Sequence, residues 1–207
     1  KMIIVKGRKT SGNVMKVLWL LEELCIPYTQ EDIGGKHGGN NKQEYLKKNP
    51  TGLIPTLIDD QITLWESNTI VRYLAKKYSF GNIYPKSIEE AALLEMWMDW
   101  QLFAINPMMR PVFHGLIRNS PENRNWEEIN KAIELGNSLW KILDNYLENK
   151  SFMGGEKIGV ADFPLGPVVH RFFTIVDKRP PTPNIERWYE NLQKRDAFKK
   201  ICMIPLE

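Results

Sequence analysis

One proline constrains this chain more than any other residue. Pro55 stands inside the run TGLIPTLIDDQITLWESNTIVRYL, residues 51–74, at the entry of what otherwise reads as a hairpin strand. Proline donates no backbone hydrogen bond, so in a sheet it is confined to an edge strand or a strand's first position. Ile54, Thr56 and Ile58 alternate with Pro55 and Leu57. Ile62 and Leu64 repeat the alternation beyond a turn expected at Asp59-Asp60, which is hairpin patterning. Ile70, Val71, Leu74 and Tyr78 then fall three and four apart, as on a helix, with Ser67 or Asn68 available to cap it. Two consequences bear on binding. A cis Ile54-Pro55 bond, a conformation open to X-Pro bonds, would turn the Ile54 amide and carbonyl outward from the sheet. Glu66-Ser67, at the helix start, offers free amides and partial positive charge suited to a carboxylate. An edge strand pairing with an extended peptide, beside such a helix end, describes a receptor for a small anionic peptide.

The runs NPTGLIPTL and WESNTIVRYL resemble the glutathione-binding half of the cytosolic glutathione S-transferases. In that family the proline is cis, the residue before it pairs with the cysteinyl backbone of glutathione, and Glu-Ser holds the γ-glutamyl end. The resemblance therefore implies glutathione as co-substrate, bound by Ile54, Pro55, Glu66 and Ser67, with no metal. It also implies a detoxifying alkyl or aryl transferase, with peroxide reduction as a possible second activity, acting as a homodimer.

The order of elements fits an α/β thioredoxin-like domain followed by an all-α bundle. Residues 2–5 form a short apolar strand, 7–13 a polar turn, 14–24 a helix and 28–33 a second strand, giving a parallel crossover unit. Val14, Val17, Leu18, Leu21 and Leu24 share one helix face, with Glu22 and Glu23 opposite. Residues 34–41 (GGKHGGNN) are a loop and 43–48 a short helix. The first domain is expected over 1–80 and a turn-rich linker over 81–87. Residues 88–207, without a strand pattern, form the helical domain. There Leu93, Trp97, Trp100 and Ala104 mark one helix; Trp126, Ile129, Ile133, Gly136, Trp140, Leu143 and Leu147 mark the clearest. Residues 159–173 read as a buried helix with Asp162 three after Gly159, a capping-box spacing with glycine in the cap seat. The family usually has Ser or Thr there. Residues 183–198 resemble its last major helix.

Composition excludes several classes. A formal charge of +3 is too weak for a nucleic-acid partner. No apolar run approaches a membrane span, and no signal-peptide pattern precedes Ile3, with Met2 the expected natural start. Cys25 and Cys202 make no disulfide framework and suit a reducing cytoplasm.

The family's chemistry needs glutathione as a thiolate. A thiol of ordinary pKa is only about 3% ionised at neutral pH, and lowering that pKa by roughly two units takes about 2.7 kcal/mol. One hydrogen bond to a charged group supplies on the order of 1.5–3 kcal/mol, and a helix N-terminus roughly 0.3–1 more. A single hydroxyl at a helix start suffices. The turn GRKTSGNV supplies Thr10 and Ser11. The serine-type members (theta, delta and bacterial) carry Ser-X-Pro-Cys-Arg. On that pattern Ser11 takes the catalytic seat and Asn13 replaces the proline, so Asn13 and then Thr10 are alternatives. No cysteine lies in this turn, which argues against a redox protein working through its own thiol. Cys25, at the far end of the helix, is expected in the core.

A cation for the glycine carboxylate of glutathione is sought among Lys36, His37, Lys42 and Lys48; the histidine that some members carry two residues after Asn-Pro is here Gly52. The electrophile, a small hydrophobic molecule, is expected between the domains against Met108, Met109, Arg110, Phe113 and His114, whose soft side chains suit varied substrates. The competing function is a non-catalytic binding or scaffold protein on the same fold. Ser11, Ile54-Pro55 and Glu66-Ser67 together favour the enzyme, since a scaffold needs none of them.

Overall fold

In the computed structural model, which describes residues 2–207, four strands form one sheet in the order β2-β1-β3-β4. Lys1 lies outside the described residues. β1 (Ile3–Lys6) runs parallel to β2 (Tyr28–Glu31) and antiparallel to β3 (Thr56–Asp59), which pairs in turn with β4 (Ile62–Trp65). β3 is thus internal, not the edge strand expected. Pro55 is tolerated because it precedes the first paired residue, Thr56, opposite Lys6 on one side and Trp65 on the other. The Ile54-Pro55 bond is cis. The hairpin turn lies one residue later than expected, at Asp60-Gln61, with Asp60 at φ 57°, a region that aspartate tolerates.

α1 (Gly12–Glu23) makes the crossover and starts two residues earlier than its spacing predicted, with Ser11 in the cap position. Every residue from Val14 to Leu21 is buried, because α1 is packed among α3 (Ser67–Ser79), α7 (Asp162–Ile175) and α9 (Asp196–Cys202). Its end is a left-handed cap: Cys25 at φ 52° donates to the Glu22 carbonyl, and Ile26 donates to that of Leu21. That geometry leaves Cys25 exposed rather than in the core; Cys202 is buried. Glu22 and Glu23 do not simply face solvent. They accept bonds from Lys200 and Arg195 and so tie α9 to α1.

A 3-10 turn (Gly35–His37) and α2 (Gln43–Leu46) follow β2. At the start of α3 neither Ser67 nor Asn68 is the cap. Glu66, at φ 70°, holds that position, while the other two are drawn inward by contacts described below. Tyr78 is exposed rather than core; with Tyr73 and Lys77 it donates to the Asp59 carboxylate, fastening α3 to the hairpin.

The helical part opens with a rod: α4 (Ile88–Trp100), a π turn (Gln101–Ile105), α5 (Asn106–Phe113) and a second π turn (His114–Arg118). Pro107 and Pro111 lack the amides that an α-helix would use there, and the widened turns flank them. The buried stripe of the rod runs through Ala91, Leu94, Met98, Gln101 and Ile105, so Leu93 is exposed, one position out of the phase expected. α6 (Trp126–Tyr146) buries Ile129, Gly136, Trp140 and Leu143 but leaves Trp126 exposed at its first turn. The stretch 183–198 is not one helix. α8 (Pro183–Gln193) stops, and Arg195, extended at ψ 124° with its guanidinium on Glu23, begins α9.

Candidate active site

The turn between β1 and α1 is held against the loop before β3. A Cβ on Gly7 would lie 2.6 Å from Val14 and 3.2 Å from Ile54, so only glycine permits that approach. Among the described residues neither the amide nor the carbonyl of Ile54 has a hydrogen-bond partner. Ser11 is half-buried at the cap position, and its hydroxyl makes no capping bond to the helix it precedes. The first amides of α1 are therefore left without an intrahelical partner beside a free hydroxyl.

Ser11 and Asn13 open into a cavity of about 210 Å3 between the sheet domain and the helices, with Arg8 and Lys16 beside them. Met109, Arg110, Phe113 and His114 line its far side, joined by Arg118 and by Pro164, Pro167, Val168 and Arg171 of α7. Met108 does not reach it. Helical spacing turns that side chain into the bundle, where its sulfur lies 3.0 Å from the place a Cβ on Gly136 would take. Thr10 is buried and does not line the cavity either; its carbonyl accepts a 2.7 Å bond from Arg171. Lys36 is spent on an exposed pair with Glu207 at 2.7 Å, and His37 is exposed; both lie off the cavity. Glu66 is exposed, while the Ser67 hydroxyl donates to Asn13 at 3.4 Å, one residue removed from the cavity wall.

Lys16 is the polar centre of this junction. It is 2% exposed, and its ammonium donates to Ser67, Asn68 and Gln101 at 3.2, 3.1 and 3.0 Å. Gln101 passes the chain on to Asn106 at 2.6 Å. Among the described residues no carboxylate touches the ammonium. Burial pushes its pKa down to about 7, Glu66 opposing and Arg171 adding to the fall. The folded chain therefore holds this proton less tightly than the unfolded one. Stability should rise with pH between about 7 and 10.5, at up to about 1.4 kcal/mol per unit. Denaturant unfolding at several pH values should show that rise in the wild type and a flatter profile in Lys16→Met; equal slopes would rule it out.

The remaining charge is one-sided. Arg8, Arg110, Arg118 and Arg171 form no salt bridge among the described residues. The Phe113 ring has the Arg171 guanidinium at 4.6 Å and that of Arg118 at 5.3 Å. Arg118 also meets His114 at 3.0 Å, and burial together with Arg118 and Arg110 holds that imidazole below its usual pKa, neutral at pH 7. Sequence reasoning missed Arg8, Lys16, Gln101, Arg118 and Arg171. Two of them left a signal, since Lys16 and Gln101 are polar residues in otherwise apolar helical stripes.

Two family models match the chain: the N-terminal domain of glutathione S-transferases over residues 7–83 and the C-terminal domain over 105–196. Glutathione S-transferase GstB of Escherichia coli is 38% identical over 207 residues, covering 99% of this chain and all of that one. Glutathione S-transferase D6 of Drosophila melanogaster is 29% identical over 89% of the chain and 84% of its own length. Among solved structures, the theta class glutathione S-transferase of Xanthomonas axonopodis pv. citri with glutathione bound superimposes with a TM-score of 0.95 at 36% identity, over 99% of both chains. With a four-stranded thioredoxin-like sheet, a helical bundle against it and relatives matched end to end, the chain belongs to the glutathione S-transferase family.

Proposed function

We propose that this enzyme adds the thiolate of glutathione to small electrophiles at the cavity between its two parts, divided at 81–87. The observation that carries it is the Ser11 hydroxyl, without a capping bond at the mouth of α1 and open to that cavity. Ser11 donates to the sulfur and holds it as the anion; Asn13, beside it on the same wall, is the alternative donor. The unpaired backbone of Ile54 meets the cysteinyl unit, and the start of α3 at Glu66-Ser67 takes the γ-glutamyl end. Arg8 lies closer to the cavity than Lys36 or His37 and is the better seat for the glycine carboxylate. Met109, Arg110, Phe113 and His114 face the electrophile. Peroxide reduction would use the same thiolate.

Exposed apolar side chains on both parts, Trp65 on the edge strand and Met96 and Phe103 on the rod, support a homodimer. The exposed free Cys25 suits a cytoplasmic setting; among the described residues no helix is long and apolar enough to cross a membrane. Calorimetric titration with glutathione tests the proposal. Saturable binding below about 1 mM, an affinity near −4 kcal/mol or better, is expected. No heat at millimolar ligand would turn the reading to a non-catalytic scaffold.

A further inference from the structure

The cavity wall facing Ser11 carries more positive charge than glutathione needs. At neutral pH glutathione brings two carboxylates and one ammonium. The placement above answers the carboxylates at the start of α3 and at Arg8. Arg118 and Arg171 remain, on the helical side, flanking one aromatic ring. Neither has an acidic partner among the described residues. Arg171 is anchored rather than swinging free: one end donates to the Thr10 carbonyl at 2.7 Å, and a Cβ on Gly12 would lie 2.7 Å from its Nη1. Its Nε is buried with no hydrogen-bond partner. Burial, with the charges of Arg118 and Arg8, pushes its pKa down to about 10, and burial first and Arg8 second lower that of Arg118. Like charges held together without a counter-ion are a cost to the folded chain that a bound anion removes.

We infer that the electrophile is a small organic acid whose carboxylate docks on Arg118 and Arg171 while its apolar body lies along Phe113 and Met109. This rests on the glutathione-transferring function proposed above and narrows its substrate class. Docked there, the reacting carbon is presented to the sulfur at Ser11. Sulfur forms a bond to the carbon that bears the leaving group, that group departs with its bonding pair, and the thiol proton has already gone to solvent. With an aryl chloride the products are the thioether and chloride.

The test compares 4-chloro-3,5-dinitrobenzoate with 4-chloro-3,5-dinitrobenzamide, a pair alike in size and leaving group and different in charge. For each, kcat/KM is divided by the uncatalysed rate constant with glutathione. Wild type should accelerate the acid at least about tenfold more than the amide, the worth of one charge-assisted hydrogen bond. In Arg118→Met that preference should shrink to about twofold or less, with the Kd of glutathione moved by less than about threefold. The preference is a ratio within each protein, so a smaller folded fraction cancels from it. Equal acceleration of acid and amide by wild type would overturn the inference and leave glutathione transfer standing. So would an Arg118→Met variant that keeps its preference, or one that instead loses glutathione affinity tenfold, since the guanidinium would then serve glutathione. Turnover of neither compound with glutathione bound would overturn conjugation itself, and the inference with it.

Discussion

Asp162→Ala is expected to lower the unfolding free energy by about 3–5 kcal/mol, as for other broken buried charge networks. The carboxylate is fully buried at the start of α7 and accepts three bonds: from the Gly159 amide at 2.7 Å, the Met153 amide at 3.0 Å and the Trp188 indole at 2.6 Å. Truncation orphans three buried donors, each costing about 1–3 kcal/mol when nothing replaces the acceptor. The effect is broad because those donors belong to different segments. The 153–159 loop, α7 and α8 meet at this one side chain. Burial pushes the carboxyl up to about 6 in spite of the three donors. Asp162→Asn keeps one acceptor oxygen and turns an NH2 on at least one donor, so about half the loss is expected. Urea unfolding of the three proteins measures this directly, and in Asp162→Ala the midpoint of thermal unfolding should drop by roughly 6–20 °C. A loss under about 1 kcal/mol in the alanine variant would show that water replaces the carboxylate at little cost.

Ser11→Ala is expected to raise the pKa of bound glutathione's thiol by at least about one unit, the worth of roughly 1.4 kcal/mol of anion stabilisation. The serine hydroxyl stands where the free amides of α1 already favour an anion, so its bond adds to a helix-end field that the variant keeps. The sign of the pH effect follows. Below both pKa values the thiolate fraction falls tenfold for each unit the pKa rises, so kcat/KM for the electrophile at saturating glutathione should drop about tenfold near pH 5.5. The gap between variant and wild type should close as pH climbs past the variant's raised pKa. Ultraviolet titration of the bound thiolate and a pH profile of kcat/KM read the two effects separately. An unchanged thiol pKa would move the role to Asn13, which lies on the same cavity wall, and Asn13→Ala would then show the shift.

Much of the fold was legible in local pattern. The alternation about Pro55, the helix spacing after Ser67 and the glycine-to-aspartate step at Gly159 each imposed an element that the structure contains, although α7 begins at Asp162 with Ala161, not Gly159, in the cap position. Misjudged details share a cause. Leu93 and Leu94 differ by one step of helical phase, and packing leaves the first exposed and the second buried; Met108 and Met109 are both buried, and the neighbouring helices decide that the first enters the bundle and the second the cavity wall. Cys25 was expected inside because its neighbours are apolar. The left-handed cap at the end of α1 turns it out instead.

The site divides in the same way. Ser11, Ile54-Pro55 and Glu66-Ser67 could be proposed as candidates from the chain alone, because backbone geometry there depends on residues within a few positions: a proline that cannot donate, a hydroxyl at a helix mouth, a turn ahead of a helix. Lys16 with its neutral acceptors, and the gathering of Arg8, Arg118 and Arg171, could not. Arg171 meets the Thr10 carbonyl across 161 residues of sequence, and Lys16 meets Gln101 across 85. Local periodicity sets which face of a helix is apolar. Which distant charges share a cavity is set by how whole helices pack, and for this protein only the tertiary structure decided that.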